Sequence, residues 1–388
     1  MNNSKQYAEY EVIELTNQII QDSVMKRASD IHLEPYQNVY RIRIRIDGIL
    51  QLFNTLPTQL AKQITVRIKI MANLNIAEQR LPQDGLLCLG KLNMRISTLP
   101  VIDGEKIVLR IMDSAQHSLL INQIGLTAEQ QLDYQTVLDN PQGLILVTGP
   151  TGSGKTVTLY SGLNYIDSSQ RNVCCVEDPI EIPLEGINQT QINLKAGLDF
   201  APILRALLRQ DPDIIMIGEI RDTITAEIAI QASQTGHLVL STLHTNSSAE
   251  ALFRLNQMGI KTYLIASSLK LIIAQRLIRK LCPNCKVLAE NTLIVEENDQ
   301  PKHYSHYLAK GCQYCLGGYC GRTGIYEFLL ITPAIRSLLL AHNQFTLDQI
   351  QQLMQQQQII TLSTSALNLV KQGITSFAEV QRAMGENY

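Results

Sequence analysis

Gly149-Pro150-Thr151-Gly152-Ser153-Gly154-Lys155-Thr156 satisfies G-x-x-x-x-G-K-[ST] at every required place. The apolar run Leu144-Ile145-Leu146-Val147 enters this stretch as a buried strand, and the segment after Lys155 leaves it as a helix. Glycines let backbone N–H groups turn inward around phosphate oxygens, and the helix N-terminus adds a positive dipole end. Lys155 is placed to reach the outer phosphates, and the Thr156 hydroxyl to ligate Mg2+. All eight residues are candidates for binding a nucleoside triphosphate.

Working outward, strands and helices alternate from 144 to about 275. Strands are expected at 144–148, 172–176, 214–217 and 238–243, the pattern of a parallel, largely buried sheet with crossover helices. In such a sheet, catalytic groups belong at the strand ends beside the loop. The strand Ile214-Ile215-Met216-Ile217 runs through Gly218 to Glu219, a candidate for orienting or deprotonating the attacking water. Pairing with Arg221 is its purely structural alternative. Gly218 stands where many phosphate-loop ATPases place a magnesium-binding aspartate. Glu177 and Asp178, ending another strand, are candidates to complete the Mg2+ shell through water, or are simply turn carboxylates before Pro179. His237 precedes the strand 238–243 and His244 follows it, where a γ-phosphate sensor would sit. Arg205 and Arg209 share one helix face, suited to neutralising phosphate charge or to surface ion pairing.

The 388 residues have room for two or three domains, and a net charge of −2 provides no global basic field for nucleic acid. No apolar run approaches the ~18 residues of a membrane span. The N-terminal residues are polar, so a cytoplasmic protein is expected. Residues 1–120 read as a small α/β domain, with helices at 7–28 and 64–74 and strands near 31–33, 86–98 and 106–112. Tyr40 to Ile46 alternates strictly, with Ile42, Ile44 and Ile46 on one face and Arg41, Arg43 and Arg45 on the other. Asp47-Gly48 marks a hairpin turn. That arginine face is a solvated or interface-facing surface, or an anion site. The domain boundary falls near 114–126, and Thr127 with Gln130 forms a capping-box pattern.

Residues 276–330 hold Cys282-Pro-Asn-Cys285 and Cys312-Gln-Tyr-Cys315. Two C-x-x-C pairs in a reducing compartment predict a closed tetrahedral Zn2+ site. The polar stretch 291–306 reads as a loop, and 331–388 as helical.

Together these segments resemble the secretion ATPase superfamily of type II secretion and type IV pilus assembly. The matching stretches are GPTGSGKT, VEDPIE, LRALLRQDPDIIMIGEIRD and TGHLVLSTLHTN, flanked upstream by SDIHLEP, RIRIDG, RLPQDG and RISTLP and downstream by LCPNC, GCQYC and GRTGIYE. The resemblance implies a homo-hexameric ring of ATPases, each with a PAS-like N-terminal domain (1–120) and a RecA-like domain (121–388), with ATP between them. It implies that Glu219 is the catalytic glutamate, Glu177 an acidic-box residue near the metal, and His237 and His244 a histidine box. It also implies that Arg95, Arg110, Arg205 and Arg209 serve the nucleotide. Arg95 and Arg110 rest on the resemblance alone. It further implies pilin or pseudopilin assembly at the inner membrane, through a platform protein and a cytoplasmic docking protein, with no nucleic acid. Its tetracysteine module points to assembly rather than retraction. Only about 30 residues precede SDIHLEP, which leaves the docking partner open.

Overall fold

The computed structural model describes residues 9–90, 92–112, 119–297, 300–341 and 345–385. The polar N-terminal stretch and part of the expected boundary at 114–126 lie outside them. The chain divides into two units, Met1–Ser114 and Ala115–Tyr388.

The first unit holds an antiparallel sheet in the order β3-β2-β1-β6-β5-β4. Its strands are β1 (Asp30–Tyr36), β2 (Val39–Ile46), β3 (Ile49–Pro57), β4 (Gln83–Leu89), β5 (Leu92–Val101) and β6 (Gly104–Met112). Helices Glu9–Met25 and Thr58–Met71 accompany it. Asp47 and Gly48, both at positive φ, make the two-residue turn between β2 and β3. The strand expected at 86–98 is two strands, β4 and β5, folded back on each other, and Gly90 after β4 takes the left-handed conformation. Ile42, Ile44, Ile31 and Leu33 are buried on the apolar face.

On the opposite face the arginine stripe of β2 meets an acidic row on β1. Glu34 accepts from Arg41 Nε at 3.1 Å and from Arg43 Nε and Nη2, both at 2.8 Å. Lys106 Nζ lies 3.0 Å from the same carboxylate. Burial alone would raise the Glu34 pKa, but its hydrogen bonds and charge pairing with Arg43 and Lys106 hold it at about 2.

The second unit is built on a seven-stranded sheet in the order β17-β12-β7-β11-β10-β8-β9. Its strands are β7 (Gly143–Thr148), β8 (Val173–Glu177), β9 (Asn188–Gln191), β10 (Ile214–Ile217), β11 (Leu238–Leu243), β12 (Leu269–Leu281) and β17 (Tyr319–Leu330). All neighbours are parallel except the β12–β17 pair. Alternate residues of β7 face opposite layers. Leu144 and Leu146 pack with helices Phe200–Leu207, Thr223–Gln234 and Ser248–Gln257, while Ile145 and Val147 pack with Ala128–Leu138 and Lys155–Tyr165. Because both faces are covered, the strand reads as one apolar run. The Thr127–Gln130 capping box forms as expected.

Within 291–306, expected as a loop, β14 (Leu293–Glu297) and β15 (Gln300–Tyr304) instead pair antiparallel. The run Leu293-Ile294-Val295 favours extended backbone despite its polar surroundings. Two short strands flanking β14 and β15 in sequence, β13 (Val287–Leu288) and β16 (Tyr307–Leu308), also pair. Among the described residues, four helices lie between Pro333 and Met384 in the C-terminal part.

Candidate active site

Parallel register places the carboxyl ends of β7, β8, β10 and β11 along one edge of the sheet. The segments leaving these four ends carry the phosphate loop, Asp178, Glu219 and His244. Lys155 opens the helix after the loop, and Gly154 before it sits at φ +90°. Its Nζ donates to Gly149 O at 2.9 Å and to Pro150 O at 3.2 Å, and lies 3.5 Å from His244 Nδ1. Burial pulls the Lys155 pKa down to about 8; the Glu219 charge opposes this and the Arg276 charge reinforces it.

Glu219 joins the loop to the neighbouring strand ends. His244 Nε2 lies 3.3 Å from one of its carboxylate oxygens, and the Arg221 guanidinium pairs with the other. Arg221 Nη2 is also 3.4 Å from Asp178 Oδ2. The chain of contacts therefore runs Lys155–His244–Glu219–Arg221–Asp178. Burial alone would raise the Glu219 pKa, but Arg221 and His244 more than offset it and keep the carboxyl below its usual range. It is an ionised acceptor at neutral pH.

Gly218 has a steric reason to be glycine. A Cβ there would lie 3.3 Å from Val176 O and 3.4 Å from Glu177 Cα. The His244 segment is fastened to β7, since Thr245 N donates to Thr148 Oγ1 at 2.9 Å. It is fastened to β17 through Glu327, which accepts from Ser248 N at 2.8 Å.

Glu177 is turned into the core. Its carboxylate accepts from the Tyr160 hydroxyl and from Gln189 Nε2 (2.9 Å), and burial raises its pKa. Asp178 is the carboxylate that this strand end presents to the edge; its side chain is 38% exposed. His237 does not join the cluster. Its Nδ1 lies 3.0 Å from Ala232 O at the opposite end of β11, a strand of six residues and so about 20 Å long. The nucleotide-binding expectation for His237 therefore finds no support within this unit. Arg205 and Arg209 are exposed and also outside the cluster; Arg209 Nη1 donates to Arg205 O at 2.6 Å. In the first unit, Arg95 and Arg110 stand directly opposite each other on β5 and β6, both exposed. Arg110 Nε donates to buried Asp30 at 2.9 Å.

The four cysteines come together as their spacing requires. Sulfur–sulfur distances are 3.9 Å for Cys282–Cys312, 3.6 Å for Cys285–Cys315 and 3.6 Å for Cys312–Cys315. Zn–S bonds of about 2.3 Å in a tetrahedron give an edge of about 3.8 Å. The thiol set thus fits a four-coordinate metal and is too far apart for disulfides.

A family model described as "Type II/IV secretion system protein" matches residues 5–382. The chain belongs to this family. It is 49% identical over 376 residues to "Protein transport protein HofB homolog" of Escherichia coli K12, covering 96% of this chain and 81% of that one. It is 47% identical over 381 residues to "Type IV pilus assembly ATPase PilB" of Pseudomonas aeruginosa, covering 96% and 67%. Among solved structures, the pilus retraction motor PilT with bound ADP is similar with a TM-score of 0.64 at 27% identity, over 94% of this chain and 95% of that one. As a member of the type II/IV secretion family, the protein is an ATP-hydrolysing enzyme with an α/β ATPase fold.

Some site residues escaped sequence reasoning. Arg221, read only as a possible partner of Glu219, also bridges to Asp178. Gln275 and Arg276 reach the edge because β12 pairs in parallel with β7, Ala274 opposite Thr148. The run Leu271-Ile272-Ile273-Ala274 was the available signal for that strand.

Proposed function

We propose that this protein is a Mg2+-dependent ATPase motor that powers pilin or pseudopilin assembly at the cytoplasmic face of the inner membrane. The observation that carries the reading is the continuous chain of contacts from Lys155 through His244 to Glu219 at the carboxyl edge of the sheet. In this reading the loop N–H groups and Lys155 hold the ATP phosphates. Glu219, ionised and oriented by Arg221, positions and deprotonates the attacking water. His244 lies between base and loop lysine, where it registers the γ-phosphate. The Thr156 hydroxyl and Asp178 hold Mg2+, which neutralises phosphate charge when bound. Glu177 acts from behind by fixing the turn that carries Asp178.

The Arg95–Arg110 pair supports an anion-binding role for the first unit. Like charges directly opposite on a sheet are unfavourable; Asp30 already offsets Arg110, so it is chiefly the exposed Arg95 charge that a further anion would relieve. Nucleotide phosphate is that anion, and Arg205 and Arg209 supply further positive charge in the working homo-hexamer. The antiparallel order of the first unit supports its PAS-like reading. Zn2+ closes the cysteine module. The ring acts through an inner-membrane platform protein and a docking protein; no described helix is long and apolar enough to cross a membrane. The tetracysteine cluster favours assembly over retraction.

The test is made in cells whose only copy carries Lys155→Ala. Loss of surface pili or of secreted substrate, together with loss of ATPase rate in the purified variant, is expected. Accumulation of excess pili would identify a retraction motor instead. A DNA-stimulated ATPase rate would identify a nucleic-acid translocase.

A further inference from the structure

Gln275 lies on β12, is 1% exposed and carries a carboxamide whose two ends are both bonded. Its Nε2 donates to Ser153 O at 2.6 Å, inside the phosphate loop. Its Oε1 accepts from Thr158 Oγ1 at 2.7 Å, on the first turns of the helix that follows. The glycines on either side of the loop are shaped around the same residue. A Cβ on Gly149 would come within 2.5 Å of Gln275 O, and one on Gly154 within 3.1 Å of Gln275 Nε2. Both glycines sit at positive φ, at +154° and +90°.

A trans peptide is planar, with its C=O and N–H on opposite sides. Drawing the Ser153 carbonyl toward β12 therefore aims the Gly154 N–H away from β12, toward the concave side of the loop. Nothing in glycine's own sterics enforces that choice, because glycine accepts both orientations of the preceding peptide. If the peptide turned over, a carbonyl oxygen would face the phosphate in place of a donor. The Ser153 carbonyl accepts only and so takes the nitrogen end of the carboxamide, while the Thr158 hydroxyl donates to the oxygen end and holds it in place.

We infer that Gln275 is a positioning residue of the phosphate loop, holding the Ser153–Gly154 peptide so that its N–H faces the nucleotide, with Thr158 holding Gln275. The inference rests on the loop being the ATP site.

The experiment measures ATP affinity by titration with a fluorescent ATP analogue, KM and kcat by phosphate release, and the melting temperature of each full-length variant. Gln275→Met keeps the length and adds no charge but removes both hydrogen bonds. It is expected to weaken ATP about 10- to 100-fold, the loss of an oriented donor to a charged group, with KM rising far more than kcat falls. Thr158→Val is expected to weaken ATP by several-fold, and Thr158→Ser to restore parent affinity. A merely structural role would lower the melting temperature and the active fraction while leaving the affinity of the folded protein unchanged. That result, or parent affinity in a folded Gln275→Met, overturns the inference. If Gln275→Met does not fold, the Thr158→Val and Thr158→Ser pair decides: equal affinity in the two overturns it. Lys155→Ala separates the two levels. If it too binds ATP normally, the loop is not the ATP site; if it alone loses binding, only the role of Gln275 falls.

Discussion

Replacing Glu219 by glutamine keeps its shape and removes its charge, so the change tests the base directly. Arg221 loses a charged partner, but its side chain is 55% exposed. Such a pair contributes about 0–1 kcal/mol, and the melting temperature should fall by no more than about 4 °C. The effect on binding comes from the distance to Lys155. The contacts of 3.5 and 3.3 Å on either side of the His244 ring place the two charges within about 9 Å. At an effective dielectric near 20, this attraction is about 2 kcal/mol at about 9 Å and larger at any shorter separation. Its loss is opposed by the simultaneous loss of repulsion between Glu219 and the phosphates, so ATP affinity should stay within about tenfold of the parent. Turnover has no such compensation. Without a carboxylate to take the proton from water, kcat should fall by about 10²–10⁴-fold. Single-turnover phosphate release combined with nucleotide titration separates the two quantities. A kcat within threefold of the parent would refute the assignment of Glu219. Loss of ATP binding in a folded variant would refute the view that Glu219 acts after binding.

Lys155 titrates near pH 8 in the free protein because burial favours its neutral form. Phosphate favours the charged form, so ATP affinity should weaken as pH rises past about 8; titration from neutral to alkaline pH checks this, and Lys155→Arg should move the decline out of that range. The cysteine cluster should hold one zinc per chain by elemental analysis, and Cys282→Ser with Cys285→Ser should abolish it; Co2+ substitution should give thiolate-to-metal absorption. Buried Glu379 accepts from Arg279 and Arg382, and Glu379→Ala leaves Arg279 without its buried partner, a cost of about 3–5 kcal/mol seen as a melting temperature lower by about 10 °C. The Glu379 pKa is held below its ordinary value despite burial, chiefly by Arg382 and Arg279. Its contribution is therefore complete above the ordinary glutamate pKa of about 4.3, begins to fade below it and is lost as pH falls through the depressed folded pKa, so the gap between parent and variant should narrow progressively with acid.

Local signals carried most of the catalytic unit. The phosphate loop, the apolar strands and the residues at their carboxyl ends follow from patterns a few residues long, and parallel pairing then brings them together. What escaped was set by tertiary contact. Glu177 and Asp178 are adjacent in sequence and equivalent as oxygen ligands, yet Tyr160 and Gln189 draw one inward and leave the other at the edge. His237 and His244 flank one strand, as their places on either side of 238–243 indicated, so a strand's length separates them although the resemblance groups them in one histidine box. Gln275 sits in a run that fits helix or strand, and only pairing with β7 sends it to the loop. The resemblance supplied Arg95 and Arg110, and the register shows them face to face, a relation that no sequence spacing reveals.

The tight approach of β10 to β8 at Gly218 restricts how this site can be redesigned. Moving the negative charge one residue earlier, as an aspartate at 218, is more than the exchange of one side chain, because the new Cβ meets the β8 backbone at 3.3–3.4 Å and that backbone must give by a few tenths of an ångström. The exchange becomes open only if β8 shifts as well, and β8 also carries Glu177 and leads into Asp178. An engineer seeking a different metal preference has more freedom at Asp178, whose side chain already faces solvent, than at the strand that delivers the catalytic base.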